Sequence, residues 1–175
     1  KEKLAMLMHP TQHAFSFAVP CVAALDCIAQ LKMGLVEMGA GTGYWAALLR
    51  ERGVDIVAYD RAPPTAPAPT NGKPQNLFFN ATFTDVLKGD ESELAKHADR
   101  ALFLCWPVAK VETKEMGMEG AVPWDARCLD TWQGDTLIHV GEWRVPPGEA
   151  NERDDDPLAP PPTADAFPRG TAQCD

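Results

Sequence analysis

Leu35-Val36-Glu37-Met38-Gly39-Ala40-Gly41-Thr42-Gly43-Tyr44 is the stretch that decides how this chain folds. Four residues of strand character, an acid among them, run into a turn with glycine at every second position. Tyr44 to Arg52 then reads as a helix stopped by Gly53 at the left-handed cap position. Val54 to Tyr59 is a nearly continuous apolar run, closed by Asp60. Such a run, bounded by turn residues, marks a parallel strand buried on both faces. Strand, glycine turn, helix, strand and acid make a βαβ unit whose turn and closing acid form a pocket for an adenosine ribose. A purely structural βαβ unit can carry glycines here, but it has no need of an acid at both strand ends.

The spacing of the glycines separates two nucleoside cofactors. A dinucleotide fold uses G-x-G-x-x-G, in which the third glycine lets the helix approach its strand and the pyrophosphate rests on the helix N-terminus. Here the pattern is G-x-G-x-G, and Tyr44, followed by Trp45, stands where that third glycine would be. A nicotinamide-dependent oxidoreductase is therefore the less favoured alternative. The pattern resembles motif I of the class I S-adenosylmethionine-dependent methyltransferases, E/D-x-G-x-G-x-G, with Glu37, Gly39, Gly41, Gly43 and Asp60 at the matching places. The resemblance implies that the turn from Gly39 through Ala40, Gly41 and Thr42 to Gly43 lies against the methionine and ribose parts of S-adenosylmethionine. It also implies that Asp60 accepts the ribose hydroxyls.

Working outward, Pro20 to Met33 reads as an amphipathic helix with Val22, Leu25, Ile28 and Ala29 at helical spacing, Pro20 in its first turn and Gly34 closing it. Arg61 to Gln75 holds five prolines and cannot be regular structure. A short third strand is expected within Leu77 to Val86, and a helix from Gly89 to about Ala98. Ala101 to Cys105 reads as the fourth strand, Pro123 to Gln133 as a helix with Trp124, Cys128, Leu129 and Trp132 on one face, and Thr136 to Val140 as the fifth strand. Alternating strands and helices predict an α/β fold, a doubly wound parallel sheet with right-handed crossovers. The resemblance gives the order 3-2-1-4-5 and covers roughly residues 15 to 143. Phe17 to Pro20, Arg100 to Pro107 and Gly134 to Glu142 look similar to stretches of small methyltransferase-like proteins of that class.

The expected domain is 1–143, followed by a tail over 144–175. Family members complete the sheet with two further strands, the last antiparallel, but Arg144 to Asp175 has seven prolines, an acidic run and no strand or helix period. Such a segment buries too little apolar surface to offset its ordering entropy, so the C-terminal strands are expected to be missing or degenerate, leaving strand five as a bare edge. Charge follows the same division. The chain carries a formal −9, and Glu149 to Asp175 alone holds seven acids against Arg153 and Arg169. An acidic balance disfavours nucleic acid as a partner, since phosphate binding wants a basic stripe. No apolar run reaches membrane-spanning length and no signal-peptide pattern opens the chain. Five cysteines without C-x-x-C or zinc spacing read as free thiols in a reducing cytoplasm, and no metal site is expected. His9 and His13 stand four apart, but Pro10 argues against a helix that would align them.

Methyl transfer from a sulfonium requires chiefly that the acceptor be aligned, water excluded and, where needed, a proton taken. The resemblance places the end of strand four at the methyl group, where enzymes acting on amino or amide nitrogens often carry [D/N/S]-P-P-[Y/F]. This chain has Cys105-Trp106-Pro107-Val108. The amine-holding side chain is absent, so the acceptor expected is a small molecule of unspecified type. Cys105 borders the expected cofactor site, and Trp106 is a candidate aromatic wall beside the sulfonium or an amphipathic ring packed on the sheet rim. Asp90 matches the family position that contacts the adenine amino group, and with Glu93 it also forms a D-x-x-E capping pattern. Glu142, at the carboxyl end of strand five, is a candidate base or a solvated rim charge. The remaining alternative is a non-catalytic S-adenosylmethionine-binding module with a truncated acceptor site.

Overall fold

The computed structural model describes residues 10–64, 76, 78–107 and 122–141. The chain divides into two compact units, 1–141 and 142–175, and every described residue lies in the first. The predicted tail, Glu142 and most of the proline-rich loop lie outside the described residues.

Five parallel strands form one sheet in the order β3-β2-β1-β4-β5. They are β1 (Leu35–Met38), β2 (Ile56–Asp60), β3 (Leu87–Lys88), β4 (Ala101–Cys105) and β5 (Leu137–Val140). The sheet is doubly wound as the alternation predicted. Every residue of β1 is buried, as are the first four of β4, because helices and apolar loops cover both faces. The side-chain period of two sorts the core. Leu35, Ile56, Ala58 and Phe103 face a layer with Leu25, Ile28, Trp45 and Leu49 from α2 (Val22–Gln30) and α3 (Tyr44–Glu51). Val36, Met38, Tyr59, Leu102 and Leu104 face Leu94 and Cys128, the latter from α4 (Trp124–Thr131).

Several boundaries differ from the expected ones. The third strand is two residues long and begins just beyond the expected window, at Leu87, where Gly89 N–H reaches the Asp60 carbonyl at 3.0 Å. The expected helix after it is a 3₁₀ helix over Glu91–Lys96. Helix α2 starts two residues past Pro20, and Val22, expected on its buried face, is 66% exposed. Leu129 likewise points outward from α4. A short helix, α1 (Pro10–Ala14), does begin at Pro10, where the missing N–H costs no helical bond. Cys21, Cys105 and Cys128 are free thiols, but Cys27 is disulfide-bonded, unlike the expectation for all five. Among the described residues no helix is long and apolar enough to cross a membrane.

Candidate functional site

The glycine turn between β1 and α3 is left-handed three times over, with φ of +73° at Gly39, +54° at Gly41 and +68° at Gly43. A side chain is strained at each position. The space is also taken: a β-carbon would stand 3.0 Å from the Trp124 ring at 39, 2.8 Å from the Phe79 ring at 41 and 2.7 Å from Val86 at 43. The turn is therefore both a backbone reversal and a packing surface.

Asp60, the last residue of β2, ties this turn to its strand. One carboxylate oxygen accepts the Gly41 N–H at 2.9 Å and the other the Ala62 N–H at 2.8 Å, while Ala40 N–H donates to the Tyr59 carbonyl at 2.9 Å. A carboxylate offers about four lone-pair sites. Two remain for hydroxyl donors from a ligand.

Beside it opens a cleft of about 210 Å³ at the carboxyl ends of β1 and β2. Its walls bring together Gly39, Asp60 and Asp90, three of the residues expected to hold a cofactor, with Met38 between strand and turn. Asp90 caps the 3₁₀ helix: one oxygen accepts the Ser92 N–H at 3.0 Å and the Ser92 hydroxyl at 2.6 Å, and these bonds hold its carboxyl below the usual range. Glu93 stays linked to Asp90 through the backbone, its N–H on the Asp90 carbonyl at 3.1 Å, while its carboxylate pairs with Lys96 at 2.7 Å.

The other expected cofactor residues lie elsewhere. Glu37 shares the Leu35 face of β1 and is 1% exposed, with Oε2 lacking a hydrogen-bond partner. Burial pushes its carboxyl up to about 8, Arg50 pulling it down and Asp60 adding to the rise. Ala40 and Thr42 are buried, and the Thr42 hydroxyl donates to the Phe15 carbonyl. Gly41 adjoins Asp60, but Phe79 covers its open side, and Gly43 is covered by Val86 and Thr84. Cys105 packs against the α2–α3 layer. Burial first, and then Glu37, push its thiol well above the ordinary value, while a bond from the Ala18 backbone pulls the other way. Trp106 is not a wall of the cleft; it sits at the sheet rim, 37% exposed, at a left-handed φ of 53°, its N–H on the Val140 carbonyl at 2.6 Å.

Six cleft residues were not anticipated as site residues: Met38, Arg61, Gly89, Glu91, Trp124 and Cys128. Glu91 accepts from Arg127 Nε at 2.6 Å, which fastens the 3₁₀ helix to α4. Glu91's own backbone N–H, and Arg127 after it, hold this carboxyl low against the opposing effect of burial. A usable signal existed for Trp124. Helices in a parallel sheet start at the carboxyl edge, so the first residue after Pro123 is placed beside the ligand-binding ends of the strands. Comparison with protein-family models, curated proteins and solved structures finds no match to this chain.

Proposed function

We propose that this domain binds S-adenosylmethionine and transfers its methyl group to a small-molecule acceptor, as a class I methyltransferase does. The observation that carries the reading is the Asp60 carboxylate, fixed by Gly41 and Ala62 at the mouth of a cleft that also holds Gly39 and Asp90. A cleft at the carboxyl ends of parallel strands, with a carboxylate closing the second strand, suits a ribose diol, and Asp90 suits an amino donor. The cleft volume, about 210 Å³, lies below the roughly 300–1,000 Å³ of drug-sized ligand sites. It therefore matches the nucleoside portion, and the rest of the cofactor extends along the glycine turn, where the Phe79 ring has to yield.

When bound, the cofactor supplies a methyl group on a sulfonium, with a neutral thioether as leaving group. The chain's contribution is to orient the nucleoside through Asp60 and to exclude water with the aromatic residues around the turn. Phe17 meets Phe78 and Phe79 at ring-centroid distances of 5.2 and 5.4 Å, and Phe15 meets Tyr44 at 4.9 Å. One observation favours the second reading, a binding module without catalysis. The cleft's acids stand on the β2–β3 side, whereas the β4 end presents the part-buried Cys105 thiol and Trp106.

Calorimetry with S-adenosylhomocysteine, run beside a fluorescence titration with NADH, tests the cofactor. The expected result is saturable S-adenosylhomocysteine binding and none of NADH. No binding heat at millimolar S-adenosylhomocysteine overturns it. Label transfer from methyl-labelled S-adenosylmethionine to a panel of small acceptors separates the enzyme from the module.

A further inference from the structure

We infer that Trp124 is the base-stacking wall of the cleft, which makes the site selective for a purine nucleoside rather than for any ribose-bearing ligand. This rests on the nucleoside reading above and assigns the part that the glycine motif leaves open.

Trp124 is the first residue of α4, and its indole lies directly against the turn: its Cη2 and Cζ2 atoms are 3.0 and 3.2 Å from where a Gly39 β-carbon would stand. Glycine at 39 thus makes room for this ring. The residue is part-buried against Met38 and its layer, yet it lines the same cleft as the acids. The lining combines two kinds of chemistry. Asp60 and Asp90 accept hydrogen bonds, whereas Trp124, Met38 and Cys128 contribute apolar surface, aromatic at Trp124. A sugar whose hydroxyls meet Asp60 carries its base along that surface, and flat heteroaromatic rings stack on indole.

The wall is also held in place before any ligand arrives. Arg127, one turn along α4, donates to Glu91 at 2.6 Å and to the Val122 carbonyl at 2.8 Å, and its own backbone N–H meets the Pro123 carbonyl at 3.2 Å. These bonds fix the start of the helix on both sides of Trp124, so little ordering remains to oppose binding.

The test is calorimetry of the whole chain, comparing wild type, Trp124→Ala and Trp124→Phe with S-adenosylhomocysteine, adenosine and uridine as probes. Base–aromatic stacking of about 1–3 kcal/mol corresponds to S-adenosylhomocysteine binding roughly 10- to 100-fold weaker in Trp124→Ala. Trp124→Phe is expected to stay within about threefold of wild type. Wild type and Trp124→Phe prefer adenosine over uridine, and Trp124→Ala loses that preference, which a packing role alone would not produce. S-Adenosylhomocysteine quenches the indole emission of wild type, and Trp124→Phe lacks this quench. A folded Trp124→Ala that binds S-adenosylhomocysteine within twofold of wild type, or keeps the purine preference, overturns the inference. If Trp124→Ala does not fold, a full quench persisting in Trp124→Phe overturns it instead. Binding of S-adenosylhomocysteine with no effect at Trp124 removes this inference alone, whereas wild type binding none of the probes removes the cofactor reading and this inference together.

Discussion

The carboxyl ends of β1 and β2 and those of β4 and β5 lie along the same edge of one sheet, but they are finished differently. At the first pair, a carboxylate is hydrogen-bonded to the backbone of a glycine turn and faces a cleft with two further acids, Asp90 and Glu91. At the second pair, the strands end in a part-buried thiol and a left-handed Trp106, and β5 alternates between exposed and half-buried residues. Polar groups that satisfy one another and still keep free lone pairs make a binding site; an apolar rim makes a surface. On the proposed reading, cofactor recognition and acceptor recognition are separable, the first resting on Asp60 and the second finding no polar counterpart among the described residues of the β4 end.

The sharpest way to probe the first pair is through Glu37, within β1. Its carboxyl ordinarily titrates near 4.5 and is pushed up to about 8 in the folded chain, by burial above all. Between these values the folded state holds a proton that the unfolded state has released, so this contribution is fully present below about 4.5 and is lost as pH rises through 8. Stability measured by urea unfolding is expected to fall by on the order of 4 kcal/mol between pH 5 and pH 9 from this group. Glu37→Gln is expected to flatten that slope; an unchanged slope would contradict the burial argument.

Next in size is Asp60→Ala, which strips two backbone N–H groups of their acceptor. The expected loss is about 3 kcal/mol of stability, from two hydrogen bonds to a charged group, together with S-adenosylhomocysteine binding too weak to measure. Wild-type affinity in a folded Asp60→Ala chain would break the comparison at its strongest point. The glycines allow an internal control. Gly43→Ala brings both a left-handed φ and a β-carbon 2.7 Å from Val86, whereas Gly53→Ala at φ +78° meets nothing within 4 Å. We expect about 3 kcal/mol for the first and about 1 kcal/mol for the second in paired denaturation curves. Equal costs would mean that the turn is not closely packed. The smallest effect belongs to the β4 end: Cys105→Ala is expected to leave S-adenosylhomocysteine affinity within about twofold, less than 0.5 kcal/mol. A larger loss by calorimetry would move the site toward β4.

The sheet was legible because β1, β2 and β4 are short apolar runs separated by turn residues, a pattern that tertiary contacts reinforce. Strand β3 was not, since a two-residue edge strand with both side chains exposed leaves no hydrophobic period. Of the candidate site, Gly39 and Asp60 were legible from strand-end spacing and Asp90 from the family resemblance, and the structure brings all three to one cleft. Thr42 and Cys105 were placed by analogy with the motif. Both turn instead to the segment before α2, Thr42 bonding the Phe15 carbonyl and Cys105 the Ala18 backbone. No spacing within the motif announces a partner more than twenty residues upstream. Trp124 and Glu91 come from elements far along the chain, and only the crossover geometry brings them to the turn.

A titration of the isotope-labelled chain with S-adenosylhomocysteine, followed by amide ¹H–¹⁵N spectra, tests the central claim most directly, because it reports binding and place together. The account predicts saturable shifts concentrated at Gly39, Gly41, Asp60, Asp90 and Trp124, with β5 amides unmoved. Shifts absent at millimolar ligand, or centred on Cys105 to Trp106 and β5, would contradict it.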